Sequence, residues 1–323
     1  MNWLYFYTLS CFILLVKFFV MESGIKRHTL AVIDGNSIVH RAYHALPPFT
    51  TKEGMLVNAV YGFFSFLFKV IKELNPEAIV IAFDLAVPTF RHHEFEGYKA
   101  KRKKAPDNLY HQIPKIKEIL EAFNIRFFTK EGFEADDLIG TIASLTKNNP
   151  DFKVIIISSD TDVLQLVDKD TKAMILQRGI SQAVIYEEKD VREKYQGLSP
   201  KQLIDFKALR GDPSDNIPGV FGIGEKTAID LISKFDSLEN LYSVLDKEET
   251  KRLIKKSILD KLINQKDQAF MSKNLAEIRT DVKIDFDSSL CFWRDYDYEK
   301  VAGLLKKLGF FSLASRLPEN KIV

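Results

Sequence analysis

Leu30-Ala-Val-Ile-Asp34, Ile79-Val-Ile-Ala-Phe-Asp84 and Val154-Ile-Ile-Ile-Ser-Ser-Asp160 are three short apolar runs that each stop on an aspartate. A short run without polar alternation predicts a strand buried on both faces, the pattern of a parallel α/β sheet covered by helices. Ligands of such sheets bind beyond the carboxyl ends of the strands. Three strands are therefore expected to bring Asp34, Asp84 and Asp160 to one rim. Carboxylates held a few Å apart repel one another, so a cation is expected among them.

More acid lies beside further turn and helix signals. Glu134-Ala-Asp136-Asp137 precedes the helical stretch Leu138–Lys147 and follows an expected strand over Ile125–Thr129. Asp160 and Asp162 form an i, i+2 pair just past a strand end. Asp212 and Asp215 fall in a turn between Gly211 and Asn216. Each group alone has a plain structural explanation in helix capping, dipole complementation or Asx-type turns. Those explanations do not account for all of them in one chain. Oxygen ligands with no cysteine and no well-spaced histidine select Mg²⁺ or Mn²⁺ over Zn²⁺. Nine carboxylates exceed the needs of one octahedral ion. Two ions about 3.5–4 Å apart are the arrangement used for in-line phosphoryl displacement, one activating water and the other neutralising the leaving oxygen.

A phosphate substrate is suggested independently. Between Arg91 and Lys104 lie Arg91, Lys99, Lys101, Arg102, Lys103 and Lys104 against Glu94 and Glu96, interleaved with Phe95 and Tyr98 and preceded by Phe90. Charge that follows phosphates and rings that stack on bases compose a single-strand path; the plainer reading is a solvated loop. Downstream, Gly219, Gly222 and Gly224 precede the helical stretch Thr227–Phe235, with Lys226 and Thr227 at its start. Bare backbone N–H groups and a helix N-terminus there can approach a phosphate closely. No apolar strand feeds these glycines, which excludes a Rossmann dinucleotide turn. With Leu203–Leu209 helical as well, the unit reads as helix, glycine hairpin, helix.

At this point the chain resembles the 5′→3′ exonuclease domain family of bacterial DNA polymerase I, within the flap endonuclease superfamily. The matching stretches are Val32-Ile-Asp-Gly-Asn36, Asn58-Ala-Val-Tyr-Gly-Phe63, Thr89-Phe-Arg-His92, Gly97-Tyr-Lys-Ala100, Gly132-Phe-Glu-Ala-Asp-Asp137, Ser159-Asp-Thr-Asp162 and Gly211-Asp-Pro-Ser-Asp-Asn-Ile-Pro-Gly219. The resemblance runs from about Thr29 to the end of the chain. It implies a PIN-like α/β domain with a mostly parallel sheet flanked by helices, then a smaller helical domain with a helix-hairpin-helix type DNA-binding motif. It implies two divalent ions held by the acids at Asp34, Asp84, Glu134, Asp136, Asp137, Asp160, Asp162, Asp212 and Asp215. By the same match Lys99 approaches the scissile phosphate with Tyr98 and Arg91 beside it, and the glycine hairpin grips duplex with help from a monovalent cation such as K⁺. Two departures stand out: His93 replaces the usual acid after Thr89-Phe-Arg-His92, and the run Lys101–Lys104 is unusually basic.

The expected activity is structure-specific hydrolysis of DNA at 5′ ends, flaps or single-strand/duplex junctions, in replication and repair. Two other classes remain open from the sequence: a non-enzymatic structure-specific DNA-binding module, and a toxin-like metal-dependent ribonuclease, which shares the acidic rim. The 323 residues suffice for two domains. Expected boundaries are an α/β unit over 29–195, a helical unit over 196–289 and a helical tail over 290–323. A net charge of only +2 requires that nucleic-acid binding come from local patches, and two cysteines supply no disulfide framework and fit a reducing cytoplasm. His40 and His44 share a helix face without metal spacing. A monomer is expected, with a separate DNA polymerase as a partner. Trp3–Val20 is apolar apart from Lys17 and small polar groups, near the minimum length of a spanning helix. It reads either as an upstream extension of a chain that starts at Met21 or as a membrane anchor, kept cytoplasm-facing by Lys26 and Arg27.

Overall fold

A computed structural model describes residues 27–177 and 183–319; the apolar N-terminal stretch and its anchor reading lie outside them. Six strands form one sheet: β1 (His28–Asp34), β2 (Ala78–Ala82), β3 (Arg126–Phe128), β4 (Phe152–Ser158), β5 (Thr171–Leu176) and β6 (Ala183–Tyr186). Their order is β3-β2-β1-β4-β5-β6, parallel throughout except for the antiparallel pairing of β6 on β5. The three aspartate-tipped runs are thus the neighbouring strands β2, β1 and β4. The chain leaves β1 for β2 on one side and reaches β4 on the other, so the strand order reverses at β1, the place where such sheets form a crevice.

Successive residues of a strand point to opposite faces, and here both faces are buried. Leu30, Val32, Val80, Val154 and Ile156 pack beneath the helix Ala135–Thr146 and the helical part of the chain. Ala31, Ile33, Ile79, Ile81, Ile155 and Ile157 pack beneath the helices Asn58–Leu74 and Ile113–Ala122. Two covered faces explain why these strands are continuously apolar. Val57, Val60, Phe64, Leu67, Ile71 and Leu74 recur at 3,4 spacing, which predicts one apolar helix face; all are buried except the partly buried Leu74, and Phe63, Phe66 and Val70 join them. That helix ends at Asn75 as the following proline predicts, but through a left-handed residue (φ 46°) and not an extended one. Asparagine tolerates that conformation.

Most of the second half is helical. Gln202–Arg210 and Glu225–Phe235 flank the glycine hairpin, and Lys266–Ala276 packs across Gln202–Arg210. The segment after it crosses Ala135–Thr146 at Gly140, where a Cβ would lie 2.7 Å from the Arg279 carbonyl oxygen. The tail then returns to the α/β layer. Trp293 donates through Nε1 to the Pro76 carbonyl (3.1 Å), and Val301, Leu305, Phe310 and Leu313 join the core beneath Asn58–Leu74. Among the described residues no helix is long and apolar enough to cross a membrane.

Candidate active site

The rim assembles where β2, β1 and β4 end. Asp34 closes β1 and caps the helix Gly35–Ala45, accepting from the Ser37 N–H (2.9 Å) and the Ser158 hydroxyl (2.8 Å). Asp84 follows β2 and accepts from the Ala135 N–H (2.7 Å), the first residue of the acid-bearing helix. Asp160 follows β4 and accepts from the Asp162 N–H (3.0 Å). Asp136 sits in that helix's first turn. Among the described residues none of these four has an ion pair with a protein cation at salt-bridge distance. Burial, then Asp84 and Asp160, push the Asp34 carboxyl up to about 7. Asp84, although exposed at its surface, is raised by the crowded atoms around its carboxylate and by Glu134, and the half-buried Asp136 is raised by the same desolvation, Asp34 and Asp160. These carboxylates repel one another, and the nearby charges of Lys99 and Arg102 only partly offset that repulsion.

The remaining acids have protein cations. Glu134 Oε1 accepts from Lys99 Nζ (2.7 Å), and the same ammonium lies 3.7 Å from Asp215. Asp215 also pairs with Arg102, and Tyr98 donates to Glu134 (3.0 Å) or Asp215 (3.1 Å). Lys99 adopts a left-handed backbone (φ 53°) while its N–H donates to the Asp215 carbonyl (2.9 Å), which fixes the ammonium beside the Asp215 turn. Lys207, on the helix before that turn, bridges Asp162 and Asp212, at 2.8 Å from the latter. One ammonium does not serve both acids equally. Burial would raise Asp212, yet Lys207 and two Ser214 donors bring it down to about 2; burial and the neighbouring Asp160 outweigh Lys207 at Asp162 and push it up to about 7.

Two expected roles are corrected. Asp137 is fully buried, and its oxygens accept from both Arg91 guanidinium nitrogens (2.8 Å each), the Glu134 N–H (3.0 Å) and the Arg279 N–H (2.9 Å). Four donors fill its acceptor sites, so it has none to offer an ion. Arg91 is itself 2 % exposed and also donates to the Leu275 (2.9 Å) and Glu277 (2.7 Å) carbonyls. It is a positioning residue that ties the helical part to the acid-bearing helix, out of reach of a substrate. Of the rings read as stacking platforms, Tyr98 is internal and Phe90 and Phe95 are half-buried. Tyr98 is buried, and Phe90 lies under the Arg91 and Arg279 guanidinium groups (4.5 and 4.8 Å). Of the basic run, Arg91, Lys99 and the exposed Arg102 turn toward acids of the site, whereas Lys101 and Lys103 are exposed and Lys104, also exposed, pairs with Asp107 (3.4 Å).

Could these residues hold a divalent ion? Among the described residues no three carboxylates, imidazoles or thiols converge as a closed cage does. That spacing agrees with the electrostatics: unneutralised acids stand apart, and paired acids are drawn toward their lysines. The donor chemistry nevertheless fits a hard cation at Asp34, Asp84, Asp136 and Asp160. A second ion at Glu134, Asp162, Asp212 and Asp215 would compete with Lys99, Arg102 and Lys207. The chain's reading missed Lys207, though a lysine one helical turn and a glycine ahead of Asp212 was a usable signal. It also missed Ser37 and Ser158, whose hydroxyl chemistry gives no spacing to read.

The hairpin is present as expected. Gly219 (φ 63°) passes so close to Gly211 that a Cβ would lie 2.2 Å from its nitrogen. Gly222 is left-handed, and Gly224 caps the helix Glu225–Phe235 with open space around it. Lys226 is exposed and Thr227 half-buried. The Gly219, Phe221 and Gly222 carbonyls accept from Gln268 (2.6 Å), Gln265 (3.3 Å) and Lys261 Nζ (2.9 Å). Each of these carbonyls keeps a second lone pair for the expected K⁺, and the Lys261 ammonium supplies positive charge beside them.

Comparison with known proteins agrees with this architecture. Residues 29–196 match the family model "5'-3' exonuclease, N-terminal resolvase-like domain", and residues 198–299 match "5'-3' exonuclease, C-terminal SAM fold". DNA polymerase I of Bacillus subtilis is 43% identical over 295 residues, and that of Caldicellulosiruptor bescii 42% over 296, each alignment covering 91% of this chain. The chain spans about one third of the length of these relatives, 33% and 34%. Solved structures share the fold at low identity. The bacteriophage T5 D15 protein co-crystallised with metal ions has a TM-score of 0.63 at 20% identity, over 89% of this chain and 96% of that one. The catalytic core of Rad2 in complex with DNA substrate has a TM-score of 0.59 at 20% identity, over 90% of each chain. With both family domains present in order around one acidic rim, the chain belongs to the 5′-3′ exonuclease family of nucleases.

Proposed function

We propose that this chain hydrolyses DNA phosphodiester bonds at 5′ ends and at single-strand/duplex junctions, dependent on Mg²⁺ or Mn²⁺. The observation that carries the reading is the set Asp34, Asp84, Asp136 and Asp160, unpaired and in mutual repulsion, with Lys99 standing one acid away on Glu134. Bound ions would activate the attacking water and offset charge on the leaving oxygen. The chain's own residues do the rest. Ser37 and Ser158 orient Asp34, the Ala135 N–H orients Asp84, and the Arg91–Asp137 clamp fixes the helix that presents Asp136. Lys99 is held at the rim by Glu134 and by its strained backbone, where its charge can meet a phosphate whose negative charge grows in the transition state. Tyr98 orients Glu134 and Asp215 from below.

Lys207 and Arg102 give the second acid group a resting counter-charge, so a second ion would enter by displacing an ammonium. Duplex lies against the hairpin and the 5′ strand passes the exposed Lys101, Lys103 and Lys104. T5 and Rad2 proteins of the same fold have been crystallised with DNA, which supports this partner. Action in the cytoplasm, in replication and repair, belongs to the same proposal. It is supported by relatives in which this region is one third of a DNA polymerase I.

The test uses residues 21–323, freed of metal, with a 5′-flap DNA labelled at either end. Release of the flap near the junction in Mg²⁺ or Mn²⁺ but not in EDTA, lost in Asp160→Ala, is expected. Binding without cutting in either metal would overturn the proposal.

A further inference from the structure

Phe221 is the most exposed large apolar side chain among the described residues, at 82 %. It stands at the turn of the glycine hairpin, between Gly219 and Gly222, and its exposure is not that of a loose loop. Its N–H donates to Gln265 Oε1 (2.7 Å), and its carbonyl accepts from the same side chain's amide nitrogen (3.3 Å). The next carbonyl, of Gly222, accepts from Lys261 (2.9 Å), and on the other side Gly219 is pinned through its N–H to Ser272 (3.0 Å) and through its carbonyl to Gln268 (2.6 Å). Flanking Val220 and Ile223 are buried, so the turn is anchored on both sides while the ring is held out. A phenyl ring kept in water forfeits the free energy its burial would give. Rigid presentation of that kind is characteristic of a contact made with something else.

The surroundings specify the partner. The hairpin carries exposed glycine backbone at Gly222 and Gly224, the exposed Lys226 and the Lys261 ammonium; of the acids, Glu225 faces Arg210 (3.6 Å), and Asp260 and Asp267 are exposed next to Lys261 and Gln268 in the chain. A surface that pairs cations and bare N–H groups with one projecting apolar ring fits a partner with an apolar face beside regularly spaced phosphates. Duplex DNA has this combination in its minor groove, where apolar side chains wedge against sugars and base steps. We infer that Phe221 enters the minor groove of the duplex held at the hairpin, adding an apolar, sequence-tolerant contact to the phosphate grip. The inference rests on the proposed role of the hairpin as the duplex-binding element.

The experiment measures binding of a metal-free 5′-flap DNA in EDTA across a salt series, for the unaltered chain, Phe221→Ala, Phe221→Leu and Lys226→Ala. Thermal melts confirm that each variant is folded. Phe221→Ala is expected to raise Kd on the order of tenfold with the slope of log Kd against log salt unchanged, because an apolar contact releases no counterions. Phe221→Leu should fall between. Lys226→Ala should weaken binding and lower the slope by about one phosphate contact. A 2-aminopurine in the duplex should brighten on binding and brighten less with Phe221→Ala. If Lys226→Ala weakens binding and Phe221→Ala stays within twofold, the hairpin reading stands and the Phe221 inference is overturned. If Phe221→Ala lowers the salt slope as Lys226→Ala does, its effect is on the phosphate grip and the inference is again overturned. If neither changes Kd, the hairpin reading fails and takes the inference with it.

Discussion

Arg91 and Asp137 illustrate how the same residue types take different roles a few Å apart. Both matched a catalytic pattern, yet each is closed off by its own partners, and the free acids are the ones next to them. Removing one partner of a buried, fully hydrogen-bonded pair strands the other and costs about 3–5 kcal/mol. Arg91→Met should therefore lose about that much in urea unfolding at unchanged m value, with no recovery when Mg²⁺ is added, since Asp137 is no ligand. Asp160→Asn should behave in the opposite way. Asp160 adds to the repulsion felt by Asp34 and Asp136, so the metal-free variant should keep or gain stability while cleavage disappears. Equal destabilisation of the two variants would refute this division of roles. Sequence alone could not divide them, because Glu134-Ala-Asp136-Asp137 shows four positions and not which way each faces. The helix puts Asp137 inward, toward an arginine more than forty positions earlier in the chain.

At the scale of elements, the strand ends set a pH dependence. Asp34 and Asp162 sit near 7 in the folded protein against an ordinary 3.8. Between those values the folded state holds protons that the unfolded state has released, so metal-free stability should fall as pH rises from about 4 to about 7. Asp212, held down to about 2, acts below this window. Mg²⁺ must bind deprotonated ligands, so it should raise Tm more at pH 8 than at pH 5, by at least about 4 °C. A larger gain at pH 5, measured by differential scanning fluorimetry, would contradict the raised carboxylates. The hairpin offers a second contrast. Gly219→Ala places a Cβ against the Gly211 backbone and should lower Tm by several degrees, whereas Gly224→Ala meets open space and should keep Tm within about 2 °C. Both glycines looked alike in the sequence; the close approach of the Arg210–Gly211 backbone and the left-handed φ of 63° at Gly219 separate them. The strand ends, by contrast, were legible in advance, since an apolar run stopping on aspartate reports both the element and its functional end. The basic run was half legible: its charge was visible, but not that Lys99 and Arg102 turn toward Glu134 and Asp215.

For the molecule as a whole, the tail reads differently in three dimensions than in one. After Asp287 the sequence looks like a helical appendage, but Trp293, Tyr296, Val301, Leu305, Phe310 and Leu313 are buried in the same core as Asn58–Leu74. Phe123 meets Tyr296 at 4.8 Å between ring centroids, and the Trp293 indole reaches the end of the helix that covers β2. Six large apolar side chains contribute about 1.5–3 kcal/mol each. Their sum is comparable to the entire stability of a typical protein, about 5–15 kcal/mol. A chain ending at Asp287 would keep every acid of the rim and the whole hairpin, yet it would expose the face of Asn58–Leu74 that the tail covers. It should fail to unfold cooperatively, bind a hydrophobic dye at room temperature and show no cleavage even in Mn²⁺, while residues 27–319 should unfold in one sharp transition. A truncated chain with a sharp transition and flap cleavage would mean that the α/β layer closes its core without the tail. The residues after Asp287 would then be a helical appendage and not part of the nuclease fold.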